Sequence, residues 1–305
     1  MADRKKQHFI PQSYLKAWCD QLTPSNQMPY IWQFSKDGND VKKKAPKTIF
    51  YENDMYTVIN PDGSRNLVFE NLLGQLERQF SEIRKKLEQE KKLKTHEHFT
   101  LCHFIAAMDG RTKAKREHTA KNWGKVVEMI DKMREASKTF THKQKKQAQR
   151  IADSEEHFGA KDSSMSEEDV RQIVTHPMQS TLPNTVIELT PLLFKMNLVV
   201  VKTNDSVGFI TSDNPCVWID PEAHKRPQGF QFPALMYEST EIRFPISPKQ
   251  MLVFTNKSHI LNNSYVPIDE EFLNDANRVT RFHSHEFFVV NSNTKKDYWF
   301  LKNLK

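Results

Sequence analysis

Apolar positions in this chain change their period twice. Between residues 29 and 60 they come in short alternating runs, Tyr30-Ile31-Trp32-Gln33-Phe34 first, followed by Asp37-Gly38, a hairpin signal. Residues 47–51 and 55–59 are predicted as further strands, and Pro61-Asp62-Gly63 closes the group with a turn. The period then becomes 3.6. Phe69, Leu72, Leu73, Leu76, Phe80, Ile83 and Leu87 make one stripe of a long helix. A second helix is predicted from Thr95, with Leu101, Phe104, Ile105 and Met108 inward, and Val126, Val127, Ile130 and Met133 continue helical character beyond it. Residues 138–165 are polar and predict an exposed helix, then a mobile connection around Asp162-Ser163-Ser164. Ser166-Glu167-Glu168-Asp169 marks another helix start, and residues 185–196 a buried helix interrupted at Pro191.

From about residue 197 the strand signals return. Residues 198–201, 208–211, 242–244 and 251–254 predict strands, residues 270–283 one helix, and residues 287–290 a last strand. The fold class is therefore α+β, a helical central region flanked by strand-rich N- and C-terminal parts. The segments are 1–65, 66–196 and 197–305, expected to fold as one unit. No repeat and no low-complexity stretch interrupts them.

Composition narrows the classes. No apolar run approaches the roughly 20 residues of a membrane span. The charged start Met1-Ala2-Asp3-Arg4-Lys5-Lys6 has no apolar signal core. Cys19, Cys102 and Cys216 are dispersed and odd in number, which argues against a disulfide framework. A cytoplasmic protein is the expectation. The net charge of +7 is unevenly placed: residues 84–150 hold 19 Lys/Arg against 8 Asp/Glu. Such an excess is either a solvated surface or a face for phosphate backbone. With 8 glycines and no phosphate-loop, dinucleotide or G-x-S-x-G motif, ATP hydrolysis, dinucleotide redox chemistry and hydrolase-elbow chemistry are poor fits.

Candidate chemistry lies at separate places. His8 precedes Pro11, whose fixed φ holds the chain direction, so an imidazole able to exchange protons near neutrality is held in one place. Glu70 and Glu77 share a helix face at the border of the apolar stripe, where carboxylates hold a divalent cation or relay a proton, or simply pair with lysines. Arg111 and His118, seven apart on one helix face, resemble the R-x(4–6)-H signature of HEPN ribonucleases, in which the histidine acts on the ribose and the arginine steadies phosphate charge. Asp213 in Ser212-Asp213-Asn214-Pro215 follows a strand, a common place for a working carboxylate and equally for an Asx turn. Lys47, Lys115, Arg116 and His118 are candidate substrate-binding groups. The pairs His96/His98 and His283/His285 lack a third ligand at regular spacing.

Taken together, these elements resemble a bacterial family of unknown function, DUF4238. The matching features are His8 and Pro11 running into Tyr14-Leu15, Phe104-Ile105-Ala106 followed by Arg111-Thr112, Phe209 to Pro215, and Phe244-Pro245-Ile246-Ser247-Pro248. Lys113 departs from the family's Arg-Thr-Pro element. The resemblance implies that His8, Arg111 and Asp213 recur together, which one shared site explains better than three packing accidents. The leading expectation is a nuclease of bacterial defence or toxin type. His8, Arg111 and Asp213 are then catalytic, while Glu70, Glu77 and Asp213 hold Mg²⁺ or Mn²⁺ for hydrolysis of DNA or RNA. The alternatives are a non-catalytic module binding nucleic acid or protein, and an enzyme acting on a small molecule.

Overall fold

The computed structural model describes residues 5–157, 165–258 and 260–301. Residues 1–4 and the expected connection at 162–164 lie outside the described residues. β1 (Lys6–His8) leads through Pro11, at φ −59° and ψ 141°, into a single helical turn, α1 (Gln12–Leu15). β2 (Ile31–Ser35) and β3 (Val41–Lys44) form the hairpin marked by Asp37-Gly38, with Gly38 at φ +75°. β4 (Tyr51–Asn53) pairs antiparallel with β1, and β5 (Val58–Ile59) with β6 (Arg65–Asn66).

Strand structure here is shorter than the pattern predicts. Pro46–Thr48 is a 3-10 turn. Phe50 and Asp54 sit at φ +54° and +56°, a left-handed backbone that bounds β4 on both sides.

Six helices follow: α2 (Val68–Glu88), α3 (Thr95–Gly110), α4 (Lys113–Lys138), α5 (His142–His157), α6 (Glu167–Thr175) and α7 (Pro177–Lys195). The predicted stripe of α2 buries Leu73, Phe80, Ile83 and Leu87, while Leu72 stays exposed. α3 is buried on nearly every side, as expected of a central helix, and its Phe104 ring stacks on Phe80 at 3.8 Å. Two predictions fail in the helical part. The chain breaks between α3 and α4, because Thr112 is extended (φ −71°, ψ 153°) and its hydroxyl caps α4 by accepting from the Lys115 N–H. α7 in turn starts at Pro177 and runs on through Pro183 and Pro191. Pro191 removes the usual donor to the Ile187 carbonyl, on a side of the helix where Ile187 is 68% exposed rather than in the core.

The C-terminal part carries β7 (Asn197–Lys202), β8 (Thr211–Ser212), β9 (Val217–Ile219), β10 (Glu241–Ser247), β11 (Gln250–Thr255), β12 (Ser264–Pro267), α8 (Glu270–His283) and β13 (Phe287–Val290). A five-stranded sheet has the order β12-β7-β11-β10-β9, with only β12 and β7 parallel. A four-stranded sheet, β3-β2-β13-β8, seats the last strand beside the N-terminal hairpin. The fold is α+β, with a helical centre and strands at both ends. No described helix is long and apolar enough to cross a membrane.

One buried cluster draws from all three segments: Tyr14 and Trp18, then Phe80 and Phe104, then Phe244 and Phe254. The Tyr14 hydroxyl donates to the Pro245 carbonyl at 2.7 Å and accepts from the Thr211 hydroxyl at 2.6 Å. Trp18 Nε1 donates to the Phe209 carbonyl at 2.8 Å. Tyr14→Phe keeps the ring and leaves two buried polar atoms short of a partner. A loss of ~1–3 kcal/mol is expected in urea unfolding, with an unchanged denaturant slope.

Candidate functional site

Arg111 closes α3 and is 1% exposed. A guanidinium stays charged in a protein, so its burial must be met with acceptors. Its Nε donates to the Phe9 carbonyl at 2.9 Å and its Nη2 to Glu77 Oε1 of α2 at 2.9 Å. Arg111 therefore ties the N-terminal segment, α2 and the α3–α4 turn at one point. Glu77 is partly open to water, so the pair is approached from one side only.

His8, Glu70 and Tyr56 gather around that pair. His8 ends β1 opposite Tyr51, and its Nδ1 is 3.5 Å from Gln12 Nε2, while its buried Nε2 has no partner among the described residues. Burial is the main force that lowers the His8 pKa to about 4; the Lys47 backbone opposes it and the Arg111 and Lys6 charges reinforce it. His8 is thus a neutral imidazole near pH 7. Tyr56 is buried with an unpartnered hydroxyl, and its pKa is pushed up by burial, with Arg111 acting against that shift and Glu70 and Glu77 adding to it. Tyr56 carries no signal in the sequence beyond an aromatic in a strand-like run.

Asp213 belongs to a different set. It leaves β8, and its carboxylate accepts from the backbone N–H groups of His285 (2.7 Å), Glu286 (2.7 Å) and Phe287 (2.9 Å) at the start of β13. Asn214 holds the His283 carbonyl at 3.0 Å, so the turn fastens the end of α8 to β13. Burial raises the Asp213 pKa against those three donors. Lys36, Lys113 and His285 supply the charges that face it. Arg111 and Asp213 therefore stand on separate sets of contacts, and each is engaged by other parts of the fold.

The remaining candidates spread along α4 and the N-terminal strands. Arg116 pairs with Glu52 of β4. Lys115 lies 4.0 Å from the largely buried Asp109, which also accepts from Trp218 Nε1 at 2.9 Å. His118 is exposed, 2.8 Å from the Asn122 amide. The helix break at Thr112 puts Arg111 and His118 on different helices, one inward and one outward, so the shared face expected of them does not form. Lys47 lines an open, mostly apolar cavity of about 350 Å³ with Gln12, Cys19 and Met28. His98 is a core side chain of α3, apart from the exposed His96. Among the described residues no three His, Cys, Asp or Glu side chains cluster as a metal site. Glu77 is engaged by Arg111 and Asp213 by backbone donors, a poor donor set for a cation.

A family model described as "Protein of unknown function (DUF4238)" matches residues 6–295. No curated protein and no solved structure matches the chain.

Removing the buried cation separates scaffold from surface. Arg111→Ala strands Glu77 and the Phe9 carbonyl and is expected to cost ~3–5 kcal/mol in urea unfolding, against about 0.5 kcal/mol or less for the exposed His118→Ala. The His8 shift also has a sign. The unfolded chain protonates this imidazole near its ordinary 6.5 and the folded chain only near 4, so the unfolded state binds more protons between those values. Its contribution is complete above about pH 6.5 and is lost as pH falls towards 4. Melting curves of His8→Gln should lose less stability than wild type across that window; parallel curves would remove His8 from the titration.

Proposed function

The chain belongs to the DUF4238 family, and we propose that this member binds nucleic acid backbone through the basic, solvent-facing surface of α4 and α5. One observation carries the reading. Lys121, Lys125 and Lys132 fall within about 40° of one another around α4, and none makes an ion pair among the described residues. Lys143, Lys146 and Arg150 form a second stripe on α5, equally without ion pairs among the described residues. No residue of α4 is buried, and every side chain from 141 to 151 is exposed. Residues 113–151 carry twelve Lys/Arg against four Asp/Glu. Cations left without carboxylates keep their full attraction for phosphates and release condensed counterions on binding.

Cleavage of the bound strand is the second reading, and His8 favours it. A neutral imidazole is the protonation state a general base needs. In that reading Arg111 and Asp213 hold the scaffold, and Mg²⁺ or Mn²⁺ enters only as a test condition.

Fluorescence anisotropy with labelled DNA and RNA, single- and double-stranded, separates these readings. Binding should weaken steeply between 50 and 200 mM salt, as phosphate contacts do. The triple variant Lys143→Glu, Lys145→Glu, Lys146→Glu should bind at least about tenfold more weakly with a shallower salt slope. Salt-independent binding, or a triple variant equal to wild type, rejects the arm as the interface. Cleavage with Mg²⁺ or Mn²⁺ that disappears in His8→Ala adds the second reading; none in wild type leaves a binding module.

A further inference from the structure

At the ends of β7, β11 and β13, beside the C-terminal end of α2, two cavities of about 740 and 390 Å³ adjoin one another. They share Glu90, Lys202, Thr203 and Asn204 as a common wall. Gly208 fixes the neighbouring loop: its φ is +65°, and a side-chain carbon there would fall 1.8 Å from the Pro248 carbonyl oxygen.

The larger cavity is lined by three residues with a buried polar atom that lacks a partner among the described residues, Gln250 Oε1, Asn291 Oδ1 and Ser292 Oγ. Gln250 is 5% exposed, and its Nε2 donates to the Leu87 carbonyl at 2.9 Å, so its unpaired atom is the carbonyl oxygen. Asn291 is oriented the same way, Nδ2 donating to the Ser206 carbonyl at 3.3 Å. Amide oxygens only accept, and buried acceptors are normally paired.

Charge limits what can supply the donors. Asp20, Glu88 and Glu90 line the larger cavity and Asp205, Asp269 and Glu270 the smaller, against Lys202 and Lys249. Lys202 Nζ is held by Glu90 at 2.6 Å, and Lys249 Nζ by the carbonyls of Asp205 at 2.7 Å and Asn204 at 3.4 Å. Both ammonium groups are occupied, which disfavours a phosphate or carboxylate ligand. Some carboxylates are also engaged: Asp20 accepts from Leu22 N–H and Trp32 Nε1, and Asp205 from the Val207 and Gly208 N–H groups. Spare accepting capacity remains at Glu88, which reaches Arg84 only at 3.5 Å, at Glu90 and at the three unpaired atoms.

We propose that this cleft binds a linear aliphatic polyamine. An ammonium offers several N–H donors, no acceptor and a positive charge, which is the complement of this lining. The larger cavity has room for an extended molecule with an amine at each end, whose methylenes would lie on Ala17, Leu22 and Pro248. The site lies apart from α4 and α5 and does not depend on nucleic-acid binding there.

Calorimetric titration of the full chain with spermidine should show saturable binding at one site, and 1,8-octanediol, of similar reach without charge, should show none. The double variant Glu88→Gln, Glu90→Gln should bind spermidine about tenfold more weakly or worse while melting like wild type. Hydrogen exchange of the unaltered protein gives a reading independent of any variant: spermidine should slow exchange in residues 202–206 and 247–250. Absence of saturable heat, displacement by equimolar Mg²⁺, unchanged affinity in a folded double variant, or protection confined to other segments overturns the proposal.

Discussion

A guanidinium with almost no contact with water constrains everything around it. Arg111 cannot shed its charge, so the fold has to deliver acceptors, and it does so from two places distant in sequence: the Phe9 carbonyl and the Glu77 carboxylate. Meeting that requirement fixes the N-terminal segment against α2 and ends α3 where it does. The turn that follows is capped by Thr112 and sends α4 outward. The inward arginine and the outward basic arm are two results of one helix break. Asp213 plays the corresponding part on the other side, where three backbone donors fix the start of β13 to the turn after β8.

Periodicity made much of the fold legible. The Phe69–Leu87 stripe found α2, and the span of α8 and the residues of β13 were readable from pattern alone. Ser166 and Asp169 cap α6 as their spacing implies. What pattern missed was decided by backbone or by distance. Left-handed Phe50 and Asp54 shorten strands whose side chains favour extension. α7 runs on through Pro183 and Pro191, residues that usually end a helix. For the candidate site the limit was different. His8, Glu77 and Arg111 do assemble, but residue type could not say whether a charged group faces a ligand or the chain itself. Arg111 and Asp213 meet partners as far as 102 and 74 residues away, and only the tertiary fold supplies that information.

The charge of the molecule is segregated rather than averaged. Carboxylates concentrate around the ends of β7 and α8, where lysines are already held, while Lys121, Lys125 and Lys132 of α4 and Lys143, Lys146 and Arg150 of α5 make no ion pair among the described residues. Ion pairs do appear on the arm, Arg134 with Glu167 and Arg171 with Asp131, but these join α4 to α6 and leave the outward stripes alone.

The placement of Tyr14 and Trp18 also sets a timetable. Tyr14 donates to a carbonyl 231 residues later in the chain, and Trp18 to one 191 residues later. At about 5–20 residues per second, a ribosome takes roughly 10–50 s to add that length. Throughout that interval two large aromatic side chains and their polar tips are without their partners. The innermost part of the finished core is therefore, during synthesis, an unprotected apolar segment. The chain can complete this fold only after translation has passed β10.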